Sequence, residues 1–375
     1  MSKKNYTVSV VKCETYDFSK VQEAVKKSVE LLGGISKFVK KGDKVLIKPN
    51  LLQPAHPDKA ITTHPEVVRA VIRLVKKQGA IPIVGDSPGI GDIEKIADVA
   101  GILDVCREEK IKLIPLKPSG VKKIISGKVC KEFTVAKELD EVNCIINIPR
   151  LKTHVLTTYT GAVKNLFGLI PGGEKKTFHI NFSQGEDFSE MLLDLYLLIK
   201  PKLTIMDAVV GMEGQGPSGG NPRKIGYILA GNDALALDTV AISIANLFPV
   251  PLLEKAHQRG LAQADMKNIT LVGDVYTPLY KFKKPFFLPQ KLPKFLLYIA
   301  RYLVTSKPII LKEKCIKCHK CVKVCPKKTI HIEEKYPVIK YRNCIRCYCC
   351  HEHCPVRAII LKKGFLLRFF RERFV

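Results

Sequence analysis

The chain contains no tryptophan, and aromatic residues make up only 7% of its 375 positions. Its core must therefore be built mainly from Ile, Val and Leu. Acidic residues are also scarce: 35 Asp and Glu stand against 62 Lys and Arg, a formal charge of +27. A field of that sign favours anionic partners, whether acidic proteins, charged substrates, nucleic acid or an anionic membrane surface, without choosing among them. No run reaches the roughly 18 uncharged apolar residues that a spanning helix needs. The least polar stretch, 295–311, is broken by Arg301, Lys307 and Pro308. The first twenty residues lack the apolar segment of a signal peptide, so a cytoplasmic location is expected. P-loop and H-E-x-x-H strings are missing too, which removes the commonest nucleotide and zinc-protease readings.

Cysteine is abundant. There are thirteen, an odd number, in a chain with no secretory signature, which opposes a disulfide framework. Nine crowd between residues 315 and 354. Cys315, Cys318, Cys321 and Cys325-Pro326 form one C-x2-C-x2-C-x3-C-P run, and Cys344, Cys347, Cys350 and Cys354-Pro355 form a second. Three thiolates two residues apart wrap three corners of an iron–sulfur cube, while the fourth reaches the other cluster. The expected ligand sets are thus crossed: Cys315, Cys318, Cys321 and Cys354 for one [4Fe-4S] cluster, Cys344, Cys347, Cys350 and Cys325 for the other. Zinc is the chemical rival for four thiolates, and the paired C-P endings favour iron.

This segment resembles the two-cluster bacterial ferredoxins over about residues 310–362, with the short strands of that fold expected at Thr329–Ile332 and Ala358–Leu361. It carries 13 basic and 4 acidic side chains, which makes it a fixed electron inlet more than a roaming carrier. Cys349, His351 and His353 flank the ligands. Cys349 is a bystander, an alternative ligand or a redox-reactive site; His351 and His353 are uninvolved, or they raise the cluster potential or couple a proton to electron transfer.

Residues 1–280 alternate between strand and helix patterns: strands at 6–11, 44–48, 80–85, 143–148, 203–207 and 225–230, and helices at 18–32, 64–78, from 92, 186–199 and 233–245. Thr63 is the expected cap of the second helix. The order predicts an α/β fold with mostly parallel strands and helices on both faces, in two lobes divided near residue 140 or in one continuous sheet, plus a small α+β ferredoxin-like domain. The domain reading is 1–280, a basic Pro-containing linker at 281–311, and 312–375 for the cluster domain with its basic tail. Within the linker, Leu292, Phe295, Leu296, Ile299 and Leu303 share one helical face, suited to packing on the protein itself or to peripheral contact with a membrane or partner.

Several strings in the large region, Lys48-Pro49-Asn50, Thr62-Thr63-His64-Pro65, Gly85–Gly89, Leu151–His154 and Thr160–Gly168, resemble the domain of unknown function 362 family, in register over about residues 40–245. The resemblance implies a shared fold and site but no reaction. Physically, these residues fall at strand ends, where open α/β sheets bind ligands. Lys152, His154, Lys164, Asn165, Asp86 and Asp207 are the candidate catalytic residues. Lys48, His64, His179 and Asp238 are further polar candidates. Together they suit a small anionic substrate, with a divalent metal in the cleft as an added option. The G-x-G-x-x-G string at 214–219 is rejected as a nucleotide motif because Pro217 and Pro222 prevent a helix from following it; it reads as a loop closing over the cleft.

Three functions follow. The first is an iron–sulfur oxidoreductase passing electrons between the clusters and a substrate or cofactor in the cleft, served by an acidic redox partner protein. The second is a non-catalytic electron-transfer or cofactor- and metal-assembly protein. The third, a basic nucleic-acid or membrane-surface binder with structural clusters, trails because RNA-binding aromatic motifs are missing.

Overall fold

The computed structural model describes residues 6–89, 91–124, 127–279, 282–285 and 306–362. The expected linker helix at 292–303 and the tail beyond 362 lie outside the described residues. In chain order the strands are β1 (Tyr6–Lys12), β2 (Lys44–Pro49), β3 (Ile81–Asp86), β4 (Leu113–Pro115), β5 (Pro118–Lys123), β6 (Glu132–Ala136), β7 (Cys144–Ile148), β8 (Arg150–His154), β9 (Thr158–Thr160), β10 (Leu203–Glu213), β11 (Asn221–Gly231) and β12 (Ile269–Gly273). The helices among them are α1 (Phe18–Glu30), α2 (Pro65–Lys77), α3 (Ile93–Val99), α4 (Ile102–Glu108), α5 (Ala162–Asn165), α6 (Glu174–Asn181), α7 (Gly185–Ile199), α8 (Ala234–Ala245) and α9 (Pro251–Gln258).

Ten strands form one sheet in the order β12-β1-β11-β10-β7-β2-β3-β4, with β8 and β9 added beside β10. Neighbours are parallel except where β11 meets β1 and β10, and where β9 meets β8. Strands from before and after residue 140 interleave, so the boundary expected there does not divide the sheet. The one-sheet alternative is what forms. Alternation along β2 explains the two layers: Val45 and Ile47 face a core with α1 to α4, and Leu46 faces a second core with α5, α7, α8 and α9. The expected cap of α2 is corrected. His64 caps it, its Nδ1 accepting from Glu66 N (3.3 Å), while Thr63 Oγ1 donates to Ile148 O and accepts from Asn50 N.

From β2 the chain runs outward to β3 and β4, then returns to β7 on the other side of β2. The carboxyl ends of β2 and β7 therefore flank a topological switch point, the general crevice site of such sheets.

The cluster domain adds β13 (Lys307–Ile310), α10 (Lys320–Val324), β14 (Ile330–Glu333), β15 (Tyr336–Ile339), α11 (Cys349–Glu352) and β16 (Ile359–Lys362). β13 pairs with β16 and β14 with β15, both antiparallel. The two cysteine runs are folded alike. Left-handed backbone recurs at Lys317, His319 and Lys328 in the first and at Arg346, Tyr348 and Arg357 in the second. Thr329 N donates to Cys325 Sγ (3.3 Å) as Ala358 N does to Cys354 Sγ (3.1 Å).

Candidate active site and cluster cavities

One cavity in the small domain is walled by Cys315, Cys318, Cys321 and Cys354. A second is walled by Cys325, Cys344, Cys347 and Cys350. The structure thus brings the eight cysteines together in the crossed sets. No three of the described His, Cys, Asp or Glu side chains converge on a single ion site. The thiols surround a volume and do not close on a point, which fits a cube-shaped cluster better than a lone zinc. Backbone N–H groups reach the fourth sulfur in both sets, as a bound thiolate requires.

A third cavity, about 110 Å³, opens at the carboxyl ends of β2 and β3 and beside β8. Lys48, Asn50 and Asp86 come from strand ends of the sheet, Lys152 from β8, Lys164 and Asn165 from α5, and Lys175 and His179 from α6. The cluster domain adds Val324, Pro326, Cys349, Glu352 and His353 to the wall. Pro326 lines both this cleft and the cavity of the Cys325 set. The Cys315 cavity shares no lining residue with the cleft. Cross-domain bonds hold the wall in place: Ser218 Oγ donates to Glu352 O (2.7 Å) and Lys176 Nζ to Lys323 O (2.9 Å).

Most polar groups of the cleft are already engaged. Lys48 is fully buried and donates to Asp86 Oδ1 (2.8 Å) and Pro49 O (2.9 Å). The other oxygen of Asp86 accepts from Leu51 N (2.9 Å). Lys152 donates to Asn50 Oδ1 (2.6 Å) and Ile61 O (2.8 Å), and Lys175 to Ser87 O. Asn165 Nδ2 bonds Asn147 Oδ1 (2.8 Å), tying α5 to β7. Gly168 is required here, because a Cβ would collide with Asp86 and with the Lys48 ammonium.

Lys164 is the exception. Among the described residues it makes no hydrogen bond or ion pair, and its ammonium lies 5.7 Å from the Phe188 ring centroid. Burial depresses its pKa, opposed by Glu352 and Cys349. Burial likewise holds Lys152 well below the ordinary lysine value, helped by Lys164 and Arg150, and lowers Lys175 to about 7. His179, sealed against Phe167 and Phe188, is lowered to about 3 by burial, and its Nδ1 has no partner.

Two sequence candidates lie elsewhere. His154 is fully buried behind Glu352; its Nδ1 accepts from Leu156 N and Thr157 N, which puts the ring proton on Nε2, 3.4 Å from Glu352 Oε1. Asp207 is not at the cleft at all. It accepts from Tyr16 Oη (2.8 Å) and His64 N (3.0 Å) and pairs with Arg150 (3.6 Å), with His64 stacked on Tyr16. Asp238 also serves structure, receiving Tyr159 Oη, Ala162 N and Val163 N at the start of α5. The divalent metal in the cleft is not supported: no ligand trio exists among the described residues, and both oxygens of Asp86 are occupied. Sequence reasoning missed Lys175, Phe167 and Glu352. Glu352 alone left a signal, as the single acid between Cys344 and Cys354. The 214–219 loop connects β10 to β11 with no helix after it, and Pro217 lines the cleft.

Comparison with known proteins matches residues 45–243 to the family described as domain of unknown function (DUF362), and residues 307–355 to a 4Fe-4S dicluster domain. A thylakoid-associated protein of Synechocystis sp. is 35% identical over 256 residues, covering 68% of this chain and 79% of that protein. Among solved structures, a structural-genomics protein from Thermotoga maritima is similar at TM-score 0.39 and 15% identity, over 62% of this chain and 59% of that one. The lactate racemase apoprotein from Thermoanaerobacterium thermosaccharolyticum is similar at TM-score 0.41 and 10% identity, over 65% and 58%. The present chain thus spans less than two thirds of either solved chain. No helix of the described residues is long and apolar enough to cross a membrane.

Proposed function

We propose, from the premise that the chain belongs to the DUF362 family and carries a 4Fe-4S electron-transfer domain, that it is an oxidoreductase acting on a small molecule in the cleft between its two parts. The observation that carries this reading is the shared wall: Pro326 separates the Cys325 set from the cleft by one side chain. Bound by the two cysteine sets, [4Fe-4S] clusters supply single electrons.

The chain's own residues give the path a direction. Val324 and Pro326 bracket Cys325, and Cys349 sits between Cys347 and Cys350, so the Cys325 set backs onto the cleft. At the far set Cys318 is exposed, beside exposed Ile316. Lys314 and Lys317 stand exposed around that opening and suit an acidic carrier protein, with Glu313 as the acid among them. At the cleft end, Lys164 holds the occupant's negative charge, and Phe167 and Pro217 restrict water. Oxygen-sensitive clusters on reduced thiols suit a reducing compartment, and a cytoplasmic setting is part of this reading.

The test is anaerobic. The purified protein should hold roughly eight irons per chain, two clusters of four. Its dithionite-reduced form should be reoxidised by a cleft substrate found by screening, and Lys164→Ala should abolish that reoxidation while leaving iron content and dithionite reduction intact. Zinc in place of iron, or reoxidation indifferent to Lys164, removes the reading.

A further inference from the structure

The cleft contains groups that no part of the protein satisfies, and their chemistry is specific. Lys164 presents N–H donors and a positive charge without a partner. Opposite it, from the cluster domain, come two acceptors. His353 Nδ1 lies 2.9 Å from Cys349 O, a carbonyl that can only accept, so the ring proton sits on Nδ1 and Nε2 offers a lone pair; that Nε2 is buried and unpartnered. Glu352 Oε1 is buried without a full hydrogen bond, although the His154 Nε2–H faces it at 3.4 Å and leaves its remaining lone pair for a second donor. Buried polar atoms left unpaired are costly and rare; His353 Nε2 is one, and with the half-buried Lys164 ammonium, which bonds nothing among the described residues, it points to an absent molecule that pairs them.

From this complementarity we infer that the cleft binds a small carboxylate that also carries a hydroxyl or amine hydrogen-bond donor. The carboxylate meets Lys164, and the donor meets the Glu352 and His353 side. Of the described cleft lysines, Lys164 is the one with no bond to the protein; Lys48, Lys152, Lys175 and Lys176 each already donate to a protein oxygen. A cavity of about 110 Å³ limits the ligand to a few heavy atoms. Phosphate has oxygens for Lys164 and a P–OH donor as well, but its dianion brings more negative charge beside Glu352 than a monocarboxylate does. The inference rests on the cleft being the reacting site, and names what that site takes.

The experiment measures binding without electron transfer. Acetate, glycolate, glycerate and inorganic phosphate are titrated calorimetrically into the oxidised, iron-loaded full chain under argon. Glycolate or glycerate should bind at least about tenfold more tightly than acetate, the worth of one buried hydrogen bond, and more tightly than phosphate. Lys164→Met should lose that binding, Lys164→Arg should retain part of it, and His353→Phe, checked for intact iron content, should bind glycolate no better than acetate. Equal binding of acetate and glycolate, preference for phosphate, unchanged binding by Lys164→Met, or no saturable binding in the series overturns the inference. Hydroxy-acid binding with no substrate-driven reoxidation would sink the oxidoreductase reading alone.

Discussion

Two buried polar clusters in this molecule look alike on paper and differ in one respect. Around Asp207, the Tyr16 hydroxyl, the His64 backbone and the Arg150 guanidinium meet both carboxylate oxygens, and Arg150 goes on to Thr62 O and Val210 O. Around Lys164, the ammonium and His353 Nε2 meet nothing among the described residues that bonds them, and Glu352 Oε1 has only the His154 ring, 3.4 Å away. A closed network spends its hydrogen-bonding capacity on the fold; an open one keeps it for something else. Residue type does not separate the two, because both are Lys or Arg beside a carboxylate.

Substitutions should divide along that line. The largest effect is expected at the open cluster: Lys164→Ala should lower turnover by about 10²–10³-fold, the typical loss of a group stabilising substrate charge, while denaturant unfolding moves little. Stability falling together with turnover would erase the distinction. At the closed cluster, Asp207→Ala leaves Arg150 as a buried unpaired charge and should destabilise by about 3–5 kcal/mol, read by urea titration, with ligand binding retained in the folded fraction. Gly168→Ala should fall between these, costing about 1–3 kcal/mol through overpacking against Asp86 and Lys48.

The smallest effect is in pH dependence. Lys175 titrates near 7 in the folded chain because burial disfavours its charge, against an ordinary 10.5 when unfolded. Between those values the unfolded state holds the extra proton, so this residue makes stability rise with pH from about 7 toward 10.5, and below 7, where both states are protonated, it adds no slope. Lys175→Met should flatten that part of the stability profile. An unchanged slope would mean that Lys175 is charged at neutral pH and that the cleft is wetter than its burial implies.

The sequence was most legible where spacing itself is the chemistry. The intervals from Cys315 to Cys325 and from Cys344 to Cys354 specify a cubane wrap with no need for tertiary context, and the cavities gather those thiols. Strand and helix positions were readable from periodicity, since Val45, Leu46 and Ile47 alternate between two cores. The site was half legible. Lys152, Lys164, Asn165 and Asp86 were named and do line the cleft. Asp207 was named with them and lies elsewhere, because an aspartate at a strand end reads the same whether its oxygens are open or filled by Tyr16, a residue 191 positions away. Pro326 was invisible as a cleft residue, and Glu352 showed only as the lone acid among the second run of cysteines. Their place depends on how the cluster domain docks, and no local pattern encodes docking.

The interleaved sheet has a consequence for how the protein is made. β1 pairs with β11 through Val8 and Gly231, so the first strand emerges from the ribosome long before its neighbour exists. At 5–20 residues per second, the wait is roughly 10–45 s. During that interval the Tyr6–Lys12 edge lacks its native partners on both sides, and a nascent fragment ending near residue 140 would be a chaperone client and not a folded unit.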